Sequence, residues 1–389
     1  MVSHYPITAW SVCNALGGAT PEVLAALFEG RSGLLPCTLD VPFETSCGAL
    51  ARSLPPPPAS FAALDSRQLR VALGPVEEIA PAVRAASRRF GRDRVAVVLG
   101  TSTAGLEGTE RAYGAFRRSG ALPQGFDWDR QHAAHALLEF VRAATSAGGP
   151  GLVLSTACSS SGKAFGSAHR LLDAGACDAV LVGGVDSLCQ TTLRGFHSLE
   201  VLSRTPCRPF SAARNGISIG EGAAFVLVER SGDGLARLLG EGETSDAHHM
   251  TAPLPDGGGA RAAMEEALRR SGLTAADVDH VNAHGTGTQL NDAAEAKAIA
   301  QLFGGRVPVA STKGYTGHLL GAAGATEAVF SLASIERGFV PRSLGAEPVD
   351  PALPIDVATA RLDRPCRVVL SNSLAFGGSN VCVAFGAAS

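Results

Sequence analysis

Apolar and polar positions along the chain alternate between two periods. The runs RVAVVLGTS (94–102), GLVLST (151–156), DAVLVGGVDS (178–187) and EGAAFVLVER (221–230) are nearly continuous apolar stretches ending in glycine or small polar residues. That pattern predicts strands buried on both faces. Between them, SRQLRVALGPVEEIAPAVRAASRRFG (66–91) has a helical period, with Pro75 and Pro81 expected to interrupt it or start turns, and KAFGSAHRLLDAG (163–175) predicts a second helix. The same grammar returns further on. Helices are predicted over 258–278, 291–304 and 320–338, strands over 278–288 and 307–314, and a strand pair over 366–386. Two strands joined by a glycine-rich turn are expected to close each part, in NGISIGEGAAFVLVER and in RVVLSNSLAFGGSNVCVAF. The chain therefore reads as α/β, built from two duplicated halves at 1–235 and 236–389, with SLPPPPAS (53–60) as an extended surface connection.

Composition narrows the picture. With 46% hydrophobic and 18% charged residues over 389 positions, the chain is not disordered and has a large core. A net charge of −3 provides no overall field for nucleic acid or an anionic membrane. No segment approaches the roughly 20 apolar residues of a spanning helix, and MVSHYPITAWSVCNALGG lacks a basic leader pattern, so a cytoplasmic protein without membrane insertion is expected. The nine cysteines include no C-x-x-C pair, which predicts reduced thiols and no zinc ribbon.

Three places carry candidate chemistry. Cys158 follows a predicted strand and precedes a helix, where unpaired N–H groups and the helix dipole favour thiolate. Ser159, Ser160, Ser161 and Gly162 are small enough to let an acyl chain come close, although a buried packing thiol explains the position equally well. His284, flanked by Gly285 and Gly287, and Lys313 with His318 stand at strand ends facing a predicted crevice. His132, His135, His248 and His249 have no neighbouring ligand set and are read as packed or solvated, so no metal site is expected. HGTGTQ lacks the ending of a phosphate loop, which argues against a nucleotide site.

The motifs TACSSS, NAHGTGT, STKGYTGHLLGAAG and NSLAFGGSN, in that order, together with FEGRSGL, VGGVDS and CRPFSAARNGISIGEGAA, closely resemble the β-ketoacyl-acyl carrier protein synthases of the KAS I/KAS II type. The stretch LLDAGACDAVLVGGVDSLCQTTLRGFHSLEVLS most resembles the ketosynthases of aryl polyene and type II polyketide clusters. The resemblance implies a thiolase fold of five αβαβα layers and decarboxylative condensation of a cysteine-bound acyl chain with malonyl-acyl carrier protein. It implies no cofactor beyond the carrier's phosphopantetheine arm. The expected partners are acyl carrier protein and a second copy or a chain-length-factor-like subunit.

Carried over by position, the resemblance makes Cys158 the nucleophile and His284 and His318 the decarboxylation pair. Lys313 is the accompanying lysine, and Glu295 the acid supporting it. The amides of Cys158 and Phe376 become the oxyanion donors, Thr286 and Thr288 contacts of the phosphopantetheine arm, and Leu374 and Phe376 substrate contacts. Leu374 and Ala375 depart from the family's N-S-F-G-F-G-G gate, and Asn215, Gly216 and Ile217 from its D-G-F. Glu107, Thr109 and Glu110 align with the acyl tunnel and suit either a polar tunnel or a solvated helix face. The other readings are a housekeeping fatty acid synthase, a non-catalytic chain-length partner and a cysteine hydrolase. A thiolase would need a second cysteine in SLAFGGSN, and Cys366 and Cys382 lie outside it.

Overall fold

Ten strands repeat one order twice. In the computed structural model, which describes residues 3–50 and 53–388, they are β1 (Tyr5–Asn14), β2 (Val95–Gly100), β3 (Gly151–Leu154), β4 (Ala179–Asp186) and β5 (Gly222–Glu229), then β6 (Ala236–Ser245), β7 (His280–Asn282), β8 (Pro308–Ala310), β9 (Val368–Ala375) and β10 (Ser379–Ala387). Their hydrogen-bonded order is β3-β2-β4-β5-β1 followed by β6-β10-β9-β7-β8, with Asp356–Val357 added beyond β8. Directions repeat as well. β2 is parallel to β3 and β4, and β5 antiparallel to β4 and β1; β7 is parallel to β8 and β9, and β10 antiparallel to β9 and β6. An antiparallel β1–β6 contact, Tyr5 opposite Leu238, joins the two series. From this repeated order we infer the division of the halves at 235/236.

The helices complete five layers. They are α1 (Thr20–Glu29), α2 (Arg67–Phe90), α3 (Leu106–Ser119), α4 (Ala134–Thr145), α5 (Ser160–Asp173), α6 (Gln190–Ser198), α7 (Gly258–Ser271), α8 (Gln289–Phe303) and α9 (Ala323–Arg337). α2 and α4 cover the outer face of the first-half strands, α7 that of the second with α8 sharing its core, and α5 with α9 lie between, touching strands of both halves. Strand side chains divide accordingly. In β2, Val95, Val97 and Leu99 join the α2/α4 core, whereas Ala96 and Val98 join the central one with Phe165 and Phe330.

Three expectations are corrected. α2 runs unbroken through Pro75 and Pro81. Pro75 lacks the N–H that would bond the Val71 carbonyl, and the Cys13 thiol donates to that carbonyl instead, at 3.2 Å. The NGISIG segment does not form a hairpin with β5: Ile219–Gly220 leaves the large sheet to pair with Ser46–Gly48, which pairs with Leu35–Pro36. The second hairpin forms as expected, Ala375 facing Ser379. The short residues after Cys158 do not open a path for substrate. Ser159, Ser160 and Ser161 are fully buried, because the start of α5 presses on the backbone of its neighbours. A β-carbon on Gly100 would stand 2.2 Å from the Ser161 nitrogen, and one on Gly324 2.5 Å from the Gly162 nitrogen. β1, β6, α1 and α6 went unpredicted. Among the described residues no helix is long and apolar enough to cross a membrane.

This close approach sets a test. Gly100→Ala forces the α5 start away from β2 and should destabilise the fold by about 1–3 kcal/mol. Gly108→Ala, in α3 where an added β-carbon meets nothing within 4 Å, should be neutral or gain up to about 1 kcal/mol. Urea unfolding of both variants measures the difference, and equal stabilities would contradict the packing described.

Candidate active site

Cys158 sits in the tight turn between β3 and α5, after Ala157 at a left-handed φ of 51° and before the helix begins at Ser160. Ser160 Oγ fixes the turn, donating to the Ala157 carbonyl at 2.6 Å and accepting from the Thr156 amide at 2.9 Å. The sulfur is buried and lies 2.8 Å from His318 Nε2. His284 stands edge-on to His318, ring centroids 5.1 Å apart at 88°. Cys158, His284 and His318 thus bring donor atoms within 4.8 Å of one another, from three loops distant in sequence.

Buried acids brace the loops around the site. Glu295 accepts the His284 and Gly285 amides, both at 2.8 Å, and the Asn372 amide at 3.1 Å, so it shapes the histidine loop. It is not the partner of Lys313. That partner is Glu327 of α9, whose Oε1 is 2.6 Å from Lys313 Nζ, both side chains being almost wholly buried. Asp186, at the end of β4, accepts from Thr101, Ser102 and Thr103 at 2.7–3.1 Å and from the Ala322 amide at 3.0 Å, tying the β2 loop to the start of α9. Sequence reasoning missed Glu327 and Asp186. A lone carboxylate in the otherwise apolar LGAAGATEAVF is the signal that could have found the first.

Lys313 Nζ also reaches His284 Nδ1 at 3.4 Å. An ammonium offers donors only, so Nδ1 accepts and the proton of neutral His284 is carried on Nε2. Burial holds both imidazoles well below the usual histidine range, and the Lys313 charge pushes the same way. Both are neutral. Burial also raises Glu327 to about 7 against the pull of Lys313, and raises the Cys158 thiol to about 12. The thiolate expected at the helix start is therefore not the resting form: desolvation outweighs the opposing Lys313 charge and the Phe376 and Cys158 amides directed at the sulfur. The same ammonium disfavours a cation on the Cys-His-His donors.

The thiol forms part of the wall between two cavities. One, about 460 Å³, is lined by His284, His318, Thr286, Thr288, Leu374 and Asn215 among others; a second, about 590 Å³, by Ser102, Thr103, Ser155, Thr192, Gly195 and Leu199 among others. Cys158, Phe196 and Phe376 line both, and the Phe196 and Phe376 rings are 5.8 Å apart. Phe376 occupies the β9–β10 turn, and Leu374 also packs on the outer second-half core. Thr286 and Thr288 hydroxyls are 3.0 Å apart, and Thr288 caps α8 through the Asn291 amide. Asn215 accepts from Ser203 Oγ at 2.7 Å, and the Gly216 amide bonds the Gly287 carbonyl, so the departing N-G-I segment supports the threonine loop.

Glu107, Thr109 and Glu110 line neither cavity. Glu110 accepts the Gln190 and Thr191 amides at the start of α6, Glu107 pairs with Arg111, and Thr109 bonds His132 Nδ1, whose ring stacks on Trp128. His135 and His248 are exposed, and exposed His249 accepts the Thr251 and Ala252 amides.

Comparison with known proteins adds the lineage. Residues 60–233 match the N-terminal domain of β-ketoacyl synthases and 235–347 the C-terminal domain. The chain belongs to the β-ketoacyl synthase family. Within it, 251 residues are 40% identical to 3-oxoacyl-[acyl-carrier-protein] synthase 2 of Rhizobium meliloti (strain 1021), covering 60% of this synthase-family chain and 59% of that protein. The mitochondrial 3-oxoacyl-[acyl-carrier-protein] synthase of Arabidopsis thaliana is 38% identical over 262 residues, 61% of this chain and 56% of that one. The match thus spans less than two thirds of these curated relatives. Solved structures are similar throughout: the ketosynthase (ApeO) in complex with its chain length factor (ApeC) from Xenorhabdus doucetiae is 37% identical with a TM-score of 0.92, covering 99% of this chain and 98% of that one. The ishigamide ketosynthase/chain length factor is 26% identical with a TM-score of 0.91 and full coverage of both chains.

The ion pair makes a stability prediction. Glu327→Leu leaves the Lys313 ammonium unpaired in the interior and should cost about 3–5 kcal/mol, whereas adding Lys313→Met should recover most of that loss. Urea unfolding of single and double variants reads the coupling; purely additive losses would contradict a buried pair.

Proposed function

We propose that the chain is a β-ketoacyl-[acyl carrier protein] synthase, joining a Cys158-bound acyl group to malonyl-acyl carrier protein with loss of CO₂. The observation that carries it is the placement of Cys158, His284 and His318 together, where the sulfur borders two cavities. One cavity suits the carrier's phosphopantetheine arm beside Thr286 and Thr288, and the other the acyl chain. In loading, Cys158 sulfur attacks the acyl thioester carbonyl, the bond to pantetheine sulfur breaks, and the thiol proton ends on the departing sulfur. The Cys158 and Phe376 amides receive the tetrahedral oxyanion.

Malonyl thioester then enters, and breaking its C–CO₂ bond leaves the electron pair as an enolate. Neutral His284 and His318 suit the task of N–H donors to that enolate oxygen, and no side chain need remove a carbon-bound proton. The enolate carbon attacks the Cys158 thioester carbonyl, the C–S bond breaks with its electron pair on sulfur, and the Cys158 thiolate takes a proton from water. This chemistry calls for no cofactor beyond phosphopantetheine. A cysteine hydrolase would need a carboxylate or amide orienting the histidine beside its thiol, whereas Nδ1 of His318, the ring 2.8 Å from the sulfur, has no hydrogen-bond partner among the described residues.

The partner and pathway follow the resemblance. β3 lies at the edge of the large sheet with Leu152 42% exposed, beside the cavity reached through Ser155 and Ala157, and a second ketosynthase-fold chain, identical or a chain length factor, would cover it. The likeness to ApeO supports aryl polyene or related type II polyketide synthesis, with Cys158 marking this chain as the active member of a pair. The alternative of saturated fatty acid elongation is favoured by the curated relatives. Glu107, Thr109 and Glu110 lend the polyene reading nothing. Nine free thiols suit the cytoplasm.

Mass spectrometry of the protein exposed to acyl carrier protein thioester should place the acyl adduct on Cys158 and show none in Cys158→Ala. His284→Ala and His318→Ala should still load, while CO₂ release from malonyl carrier protein falls by about 10²-fold or more. An adduct elsewhere, or normal condensation in both histidine variants, would refute the assignment.

A further inference from the structure

Eight of the nine cysteines are buried; burial raises seven of them, to about 11 for Cys177, Cys207 and Cys366 and about 12 for Cys13 and Cys189, and Cys47 is raised first by its hydrogen bond with Cys37 and then by burial. Cys37 differs on both counts. It is only partly buried, and a hydrogen bond from the Cys47 thiol brings it down to about 6, while Cys47 itself is raised. The strands explain the contact. Leu35 faces Cys47 and Pro36 faces Ser46 in an antiparallel pair, and the Cys37 amide continues the register by donating to the Thr45 carbonyl at 2.9 Å. Cys37 therefore lies diagonally across from Cys47 on the same face of the pair, where the two thiols interact. Cys47 sits among Leu188, Leu193, Ile217 and Ile219, and Cys37 packs against the same cluster at its partly exposed rim.

The pair also adjoins the candidate active site. Cys47 pairs with Ile219, Ile219 bridges to His318, the His318 amide donates to the Ser218 carbonyl at 2.7 Å, and the Gly220 amide to the His318 carbonyl at 2.9 Å.

We propose that Cys37 and Cys47 form an exchange-active thiol pair, Cys37 attacking and Cys47 resolving, which closes into a disulfide on meeting a small disulfide such as oxidised glutathione and alters the His318 loop through the strand they share. Cys37 thiolate attacks one glutathione sulfur, a mixed disulfide forms and one glutathione leaves as thiolate. Cys47 sulfur, giving up its proton, attacks the Cys37 sulfur and expels the second glutathione. Two protein thiols are oxidised, one glutathione disulfide is reduced to two thiols, and no other oxidant is consumed. An accessible thiolate beside a resolving thiol is the arrangement that such exchange requires.

The test uses the reduced full chain. Brief iodoacetamide treatment near neutral pH, mapped by peptide mass spectrometry, should label Cys37 at least about ten-fold faster than any other cysteine. Oxidised glutathione should then link the Cys37 and Cys47 peptides; Cys47→Ser should stop at a glutathione adduct on Cys37, and Cys37→Ser should form neither product. Closure should change the alkylation rate of Cys158 by about three-fold or more, reversibly on reduction and not in Cys37→Ser. Uniform labelling, a wild-type adduct that never resolves, or a Cys158 rate indifferent to closure would overturn the proposal. None of these readouts depends on condensation, so failure here is distinct from failure of the synthase reading.

Discussion

A buried ammonium governs this site. Lys313 is 1% exposed, and an unpaired charge at such depth would cost several kcal/mol. Glu327 Oε1 at 2.6 Å offsets that cost, and the pair is held in the interior by α9, whose other side chains are apolar or small around it. Everything near the thiol answers to this charge. It donates to His284 Nδ1 and so leaves the Nε2 proton free to face the cavity, it helps keep both imidazoles neutral, and it opposes the desolvation that raises Cys158. For the proposed condensation, which develops negative charge on an enolate oxygen, fixed N–H donors beside a distal cation serve better than imidazolium groups that could pass protons to the enolate.

The duplicated topology explains how these groups meet. Strand order and direction repeat, so β3 with α5 and β8 with α9 occupy corresponding places, and α5 and α9 lie side by side between the halves. Cys158 follows the first of these strands, while Lys313 and His318 follow the second. His284 comes after β7, the counterpart of β2, and Phe376 from the closing hairpin. Backbone-to-backbone approach at Gly100 and Gly324 is what allows the two central helices to begin so near the strand ends. Packing density and chemical proximity are here the same requirement.

Much of this was legible in the sequence. Strand ends flanked by glycine and small residues singled out Cys158, His284, His318 and Lys313 as candidates, because an alternating strand–helix chain exposes its chemistry there. What could not be read was solvation. The helix start at α5 suggests thiolate only until the depth of burial is known, and burial reverses the sign. Glu295 was expected to support the lysine on the family resemblance alone, yet its carboxylate is consumed by the amides of His284 and Gly285. Glu327 was hidden in a helix that reads as pure core. Pro75 seemed to interrupt a helix because the thiol that takes over its lost hydrogen bond, Cys13, lies 58 residues in sequence from the Val71 carbonyl it bonds.

The most direct test is the protonation state of the two histidines. With ¹⁵N-labelled imidazole, NMR across about pH 5.5–8 should show His284 and His318 neutral throughout, with His284 carrying its proton on Nε2. Protonation of either ring with a midpoint near the ordinary histidine value, or a His284 proton on Nδ1, would contradict the account.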